Sequence, residues 1–218
     1  MMILPRIGSL FVVLLTLTLA ACGGGKRVTV EIPPQIDLTA LGTIGVVAFD
    51  VQSDVQLQDD ITLKFIQHLQ AAQPGVPVLE LGNEAEVLRA TGFGTLDTEA
   101  VKAIGRKYGV DSLLSGTLEV THSFPDINIG QDLNSISAAS YVLGNLNARL
   151  RLTNTGATIW SNGAHGKWKV ASVDLTAGSL SSAGMKNVDD TYRKMVQELA
   201  RVGTIDFSKS YETRTISE

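Results

Sequence analysis

Residues 41–50 read LGTIGVVAFD, and this stretch decides the architecture. Ile44, Val46, Val47 and Phe49 give it strong β character. Its apolar residues run together instead of alternating, which predicts a central strand buried on both faces. A sheet covered on both faces needs helices, and the next stretch supplies one. Residues 59–72, DDITLKFIQHLQAA, read as an amphipathic helix: Leu57, Ile61, Phe65 and Leu69 recur at i+4 with Ile66 beside them. Asp59 and Asp60 sit at its N-terminal end, where the helix dipole favours negative charge, and Gln73-Pro74-Gly75 stops it.

The alternation continues outward. Residues 76–81, VPVLEL, read as a short strand, 84–90 as a short helix and 91–94 as a turn. Residues 97–108, DTEAVKAIGRKY, form a second strong helix, with Asp97 as N-cap, Glu99 in the first turn and Val101, Ile104 and Tyr108 as the buried stripe. Gly105 inside it costs about 1 kcal/mol relative to Ala, which close packing on the sheet would explain. Gly109 suits a left-handed stop, and Asp111 suits a cap of the following turn. Residues 111–121 read as a strand, 123–132 as a loop and 136–143 as a weak strand.

In residues 146–153, Leu146, Ala148, Leu150 and Leu152 alternate with Asn147, Arg149, Arg151 and Thr153, which predicts a half-buried strand. Asn154-Thr155-Gly156 turns it into a return strand over 157–161, continued over 167–173. Residues 182–202 place Met185, Val188, Tyr192, Met195, Val196 and Leu199 at helical spacing, and Gly203 ends the run. Strand-helix alternation followed by a meander predicts one α/β sandwich with a mixed sheet. Parallel crossovers come first, antiparallel hairpins second, with about three main helices. Residues 28–32 alternate before Pro33-Pro34 and read as an edge strand or an ordered linker.

Composition narrows the function. The 44% hydrophobic content excludes a disordered chain. Eighteen Lys and Arg against 22 Asp and Glu argue against a nucleic-acid binder, which gathers positive charge against phosphates. A single cysteine excludes an intrachain disulfide and any Cys-rich zinc site.

The leader, residues 1–22, reads MMILPRIGSLFVVLLTLTLAAC. Arg6 and the free amine precede an apolar run over 10–19, broken only by Thr16 and Thr18. About 10 helical residues fall short of ~30 Å of hydrocarbon, so the run reads as a secretory signal and not a membrane span. Leu19-Ala20-Ala21-Cys22 resembles the lipobox of bacterial lipoproteins. That resemblance implies cleavage after Leu19-Ala20-Ala21 and thioether lipidation of Cys22, followed by N-acylation. More than one acyl chain makes a stable membrane anchor. Gly23, where an Asp marks inner-membrane retention in many lipoproteins, implies the outer membrane with the domain facing the periplasm. The expected organisation is a signal peptide over 1–21, a lipidated cysteine and flexible tether over 22–40, an α/β domain over 41–203 and a polar tail over 204–218. The uncleaved leader is expected as a helix detached from the domain.

Three blocks carry a second resemblance: residues 44–50 (IGVVAFD), 100–118 (AVKAIGRKYGVDSLLSGTL) and 150–161 (LRLTNTGATIWS). They resemble envelope lipoproteins with the fold shared by CsgG, LpoB and the TolB N-terminal domain, over roughly residues 40–165. The resemblance implies a protein-interaction domain in envelope assembly or secretion. It also brings a second reading, an oligomeric CsgG-like export pore, with a homo-oligomer as its consequence.

Catalytic patterns are missing. His68, His122 and His165 make no H-x-x-x-H or H-E-x-x-H spacing, and they read as surface histidines, His68 on a helix and the others in loops. There is no phosphate loop, no nucleophile elbow and no complete dinucleotide fingerprint. Asp59-Asp60 and Asp189-Asp190 are explained by helix dipoles. No metal, no cofactor and no enzymatic activity are therefore expected; a tethered enzyme is the least favoured reading. Trp160 and Trp168 flank Asn162-Gly163, and a hairpin there would bring them together; core packing is the favoured reading, and an aromatic patch for a partner or a membrane interface is the functional one. A pore would need membrane hairpins, with residues 136–153 and 159–173 as candidates. Arg149 and Arg151 in the first, and Gly163, His165 and Gly166 in the second, favour ordinary sheet strands instead.

Overall fold

The 41–50 stretch forms the buried strand its composition demands, with a break. In the computed structural model, which describes residues 26–53, 56–123, 126–129, 135–176, 179–181 and 188–216, strand β2 spans Ile44–Ala48 and β3 spans Asp50–Gln52. Phe49 separates them, and its N–H donates to the Thr62 hydroxyl at 3.0 Å. Both strands run parallel to β5 (Ser112–His122), with Val46 opposite Leu114 and Asp50 opposite Thr117. The β2–β3 side thus carries one extra residue. Gly116 lies beneath this bulge: a Cβ there would meet the Phe49 ring and the Asn147 carbonyl oxygen at 2.7 Å. Only glycine admits so close an approach.

β4 (Val78–Asn83) pairs parallel to β2 on its other side. β7 (Ser135–Leu152) and β8 (Thr158–Thr176) form a long antiparallel hairpin against β5. The sheet order is β4-β2-β5-β7-β8-β9, with β9 at Ser179–Ser181. The expected mixed sheet, parallel first and antiparallel later, is what forms.

Helices cover both faces. On one lie α1 (Gln58–Ala72) and α4 (Val188–Gly203), on the other α2 (Glu84–Thr91) and α3 (Thr98–Tyr108). Adjacent residues divide between the two cores. Val46 and Leu114 join Ile61, Phe65, Met195 and Leu199, whereas Val47 and Leu113 join Val87, Val101 and Ile104. This explains the unbroken apolar run of β2. Asp97 caps α3 by accepting from the Ala100 N–H at 2.8 Å, and Gly109 ends it at φ 67°. A Cβ on Gly105 would collide with the Thr153 side chain, so the mid-helix glycine buys contact with the hairpin corner. The last helix begins at Val188; the 182–187 part of its expected span lies outside the described residues.

Two expectations change. Residues 126–129, read as loop, form β6 (Asp126–Ile129) against β7. Asn162-Gly163, read as a candidate turn, lies inside β8, where Asn162 pairs with Ala148 and Gly163 with Asn147. The hairpin turn is at 153–157, where the Gly156 N–H donates to the Leu152 carbonyl at 2.7 Å.

Residues 34–208 form one unit. The other contains β1 (Lys26–Ile32) and β10 (Ser210–Ile216), paired antiparallel from Lys26–Ile216 to Ile32–Ser210. The segments expected as tether and tail thus each supply a strand, and Lys209 pairs with Glu31 at 2.6 Å.

Candidate functional site

The outer end of the sheet is the most conspicuous surface. Asp126-Ile127-Asn128-Ile129 alternates, and β6 pairs from Asp126–Ala139 to Ile129–Ile136. Opposed residues of an antiparallel pair share a face, so Ile127, Ile129, Ile136 and Ala138 stand together. Ile127 is 64% and Ile129 60% exposed. Their face is continuous along β7 with Val142 and Leu146, which are buried in the core beneath α4. Lys167 ties this end together: its ammonium pairs with Asp126 at 3.3 Å and sits 3.9 Å from the centre of the Tyr141 ring. Among the described residues, β8 has a strand on its outer side only over Asp174–Thr176. Elsewhere along that edge no strand is paired with it among the described residues, and a strand edge of this kind is a template for an added strand. Sequence reading missed β6 because four residues between loop signals are too short to register as a period.

The tryptophans do not meet across a hairpin, and Trp160 belongs to no exposed surface. Trp160 is 6% exposed, 4.5 Å ring to ring from Phe207, and its indole N–H donates to Asp206 Oδ2 at 3.0 Å. Trp168 is half-buried, pairs with Val142 on the strand and packs against the same core. The inner halves of both candidate membrane hairpins are likewise core: Val142, Leu146, Ala148, Leu150 and Ala164 are all buried.

His122 ends β5 and hydrogen-bonds the Tyr192 hydroxyl at 2.8 Å; His165 lies mid-strand in β8. Neither is in the loop expected for it. His68 is half-buried on α1. Burial holds its pKa below the ordinary value, and Lys64 and Arg201 add to the effect. Among the described residues no group of three His, Cys, Asp or Glu side chains could hold a metal. A cavity of about 620 Å³ beside the ends of β2 and β4 is lined by Asp59, Glu80 and Glu86 together with Thr62 and Asn83, and no histidine or lysine is among its lining residues. Asp59 and Asp60 occupy the first turn of α1, and Asp189 and Asp190 that of α4, as their dipole roles require. Among the described residues, no helix is long and apolar enough to cross a membrane. Leu19, Ala20, Ala21 and Cys22, and the helix expected for the leader, lie outside the described residues.

No family model matches the sequence, and no curated protein matches it. Among solved structures, the chain is similar to the PelC dodecamer from Paraburkholderia phytofirmans at 12% identity, covering 84% of this chain and 98% of that one, with a TM-score of 0.42. It is similar to lipoprotein GNA1162 from Neisseria meningitidis at 18% identity, covering 73% and 98%, with a TM-score of 0.35. It is also similar to the LpoB C-terminal domain from Salmonella enterica at 15% identity, covering 70% and 92%, with a TM-score of 0.35.

Proposed function

We propose that this chain is an outer-membrane lipoprotein, anchored through Cys22, whose periplasmic domain binds an envelope protein without catalysing a reaction. The observation that carries the reading is Leu19-Ala20-Ala21-Cys22, placing the chain's one cysteine directly after an apolar leader. The exposed Ile127 and Ile129 on β6 support a protein-binding role, since exposed apolar groups mark interaction surfaces.

Metabolic labelling with radioactive palmitate tests the anchor. The parent chain incorporates label and fractionates with outer membranes, and Cys22→Ser does neither. Label retained by Cys22→Ser, or a parent chain in the soluble fraction, overturns the reading. In-cell crosslinking tests the domain: the parent captures an envelope protein and Ile127→Glu/Ile129→Glu loses it. Light scattering on detergent-extracted protein separates this reading from an export pore, because a discrete high-order ring that conducts in bilayers would replace it.

A further inference from the structure

The α2–α3 face of the sheet is only partly covered, and its uncovered part is basic. Strict alternation puts Asn147, Arg149 and Arg151 on this face of β7, and register puts Ser115 opposite Arg149 and Thr117 opposite Asn147 on β5. Two residues apart on a strand, the arginine Cα atoms are about 7 Å from each other. With Glu84 at the start of α2, these side chains line a cavity of about 270 Å³.

The two guanidiniums are under-used. Arg151 donates through Nη1 to the Leu96 carbonyl at 2.7 Å, which anchors one end of its fork. Its Nε is buried and has no hydrogen-bond partner. Buried donors in native proteins are nearly always paired, so the Arg151 guanidinium is left under-satisfied beside the cavity that its side chain lines. Arg149 is exposed and, among the described residues, makes no ion pair. Glu84 forms no ion pair with either arginine; its burial first, then the neighbouring Asp50, hold its pKa above the ordinary value against the opposing pull of Arg151.

We propose that this cavity is a carboxylate-binding site, filled by the side chain of an acidic residue on a protein partner. Arginine forks match carboxylates in two-point geometry, and the Ser115 and Thr117 hydroxyls and the Asn147 amide supply further donors. Charge selects the ligand. Among the lining residues, Arg149 and Arg151 against Glu84 leave one positive charge, which a monoanion matches, and the nearby Asp50 further disfavours the more highly charged phosphate. Size agrees, because the cavity lies below the ~300 Å³ at which pockets for whole small molecules begin. The assignment to a partner rests on the protein-binding reading above; the carboxylate site does not.

The test is a titration of the full chain in detergent, followed through the arginine Nε–H signals in NMR spectra. The probes are the acetylated, amidated peptide Gly-Gly-Glu-Gly-Gly, its Gln counterpart, free glutarate and inorganic phosphate. The Glu peptide shifts the Arg149 and Arg151 signals saturably, the Gln peptide does not, and phosphate binds more weakly. Arg149→Ala weakens the Glu peptide roughly tenfold, the loss expected for one charge-assisted hydrogen bond. Its unfolding midpoint stays at the parent value, because Arg149 is exposed. Equal shifts with the Gln peptide, no saturation, or unchanged affinity in Arg149→Ala overturns the site. Glutarate or phosphate binding more tightly than the Glu peptide overturns the peptide ligand. In the crosslinking assay Arg149→Glu loses the captured protein. Capture surviving that change overturns the assignment of the site to that partner and leaves the protein-binding reading standing, whereas a parent that binds the Glu peptide but captures nothing upholds the carboxylate site and overturns its assignment to a partner.

Discussion

The Gln73 side-chain amide donates to the Phe207 carbonyl at 3.0 Å across 134 residues of chain. The same Nε2 donates to the Ile36 carbonyl at 2.7 Å, and Oε1 accepts from the Leu38 N–H at 2.8 Å. One buried glutamine at the end of α1 therefore holds the segment that enters the sheet and the segment that follows α4. The bonds to Leu38 and Phe207 are buried and the one to Ile36 is part-buried, which makes the residue structurally demanding.

Gln73→Leu keeps the approximate volume and strands the buried Leu38 N–H and Phe207 carbonyl. A loss of about 2–4 kcal/mol follows from leaving buried backbone donors and acceptors unsatisfied. Urea unfolding checks it; a change under 1 kcal/mol would show that water replaces the amide.

Gly105→Ala reverses the usual helix rule. In an open helix the change gains about 1 kcal/mol. Here the new methyl runs into Thr153, whose hydroxyl donates to the Val110 carbonyl at 2.7 Å and so has little freedom to move. Destabilisation by about 1–3 kcal/mol is expected from such overpacking. A more stable variant would mean that α3 shifts freely on the sheet.

The two tryptophans report separately. Trp160→Phe removes the hydrogen bond to Asp206, costing about 1.5–3 kcal/mol for a bond to a charged acceptor. The remaining emission, from half-buried Trp168, is red-shifted and readily quenched by acrylamide. Trp168→Phe leaves the quench-resistant emission of Trp160. Equal quenching of both variants contradicts this placement.

His68 sets a pH dependence. Burial first, then Lys64 and Arg201, hold its pKa below the ordinary 6.5, so the unfolded chain binds its proton more tightly. Its contribution is fully present above pH 6.5 and falls as the pH drops from there toward the folded-state value. His68→Gln therefore gains on the parent between pH 8 and pH 5 in matched unfolding experiments. A parallel pH profile for the two chains would refute the shift.

Much of the scaffold was readable because its causes are local. The run through Val46 and Val47, the i+4 stripe of α1 and the Asp97 cap with the Gly109 stop each depend on residues within a few positions of each other. Their physics is hydrophobic period and backbone hydrogen bonding, which a linear string displays. The alternation of Leu146 to Thr153 likewise sorted a buried side from a polar one.

Pairing partners were not local, and there the string misled. Asn162-Gly163 has the composition of a turn, yet pairing with Ala148 and Asn147 keeps it extended, because the ladder bonds and the burial of Trp160 and Ala164 outweigh a local preference. β6 exists only because β7 extends far enough to receive four residues. Arg149 and Arg151 were visible as a polar face. That α2 and α3 stop short of them, and that one guanidinium nitrogen is buried without a partner, follows from packing between elements distant in sequence. Periodicity states which side of a strand is apolar; long-range contacts settle what, if anything, covers the other side.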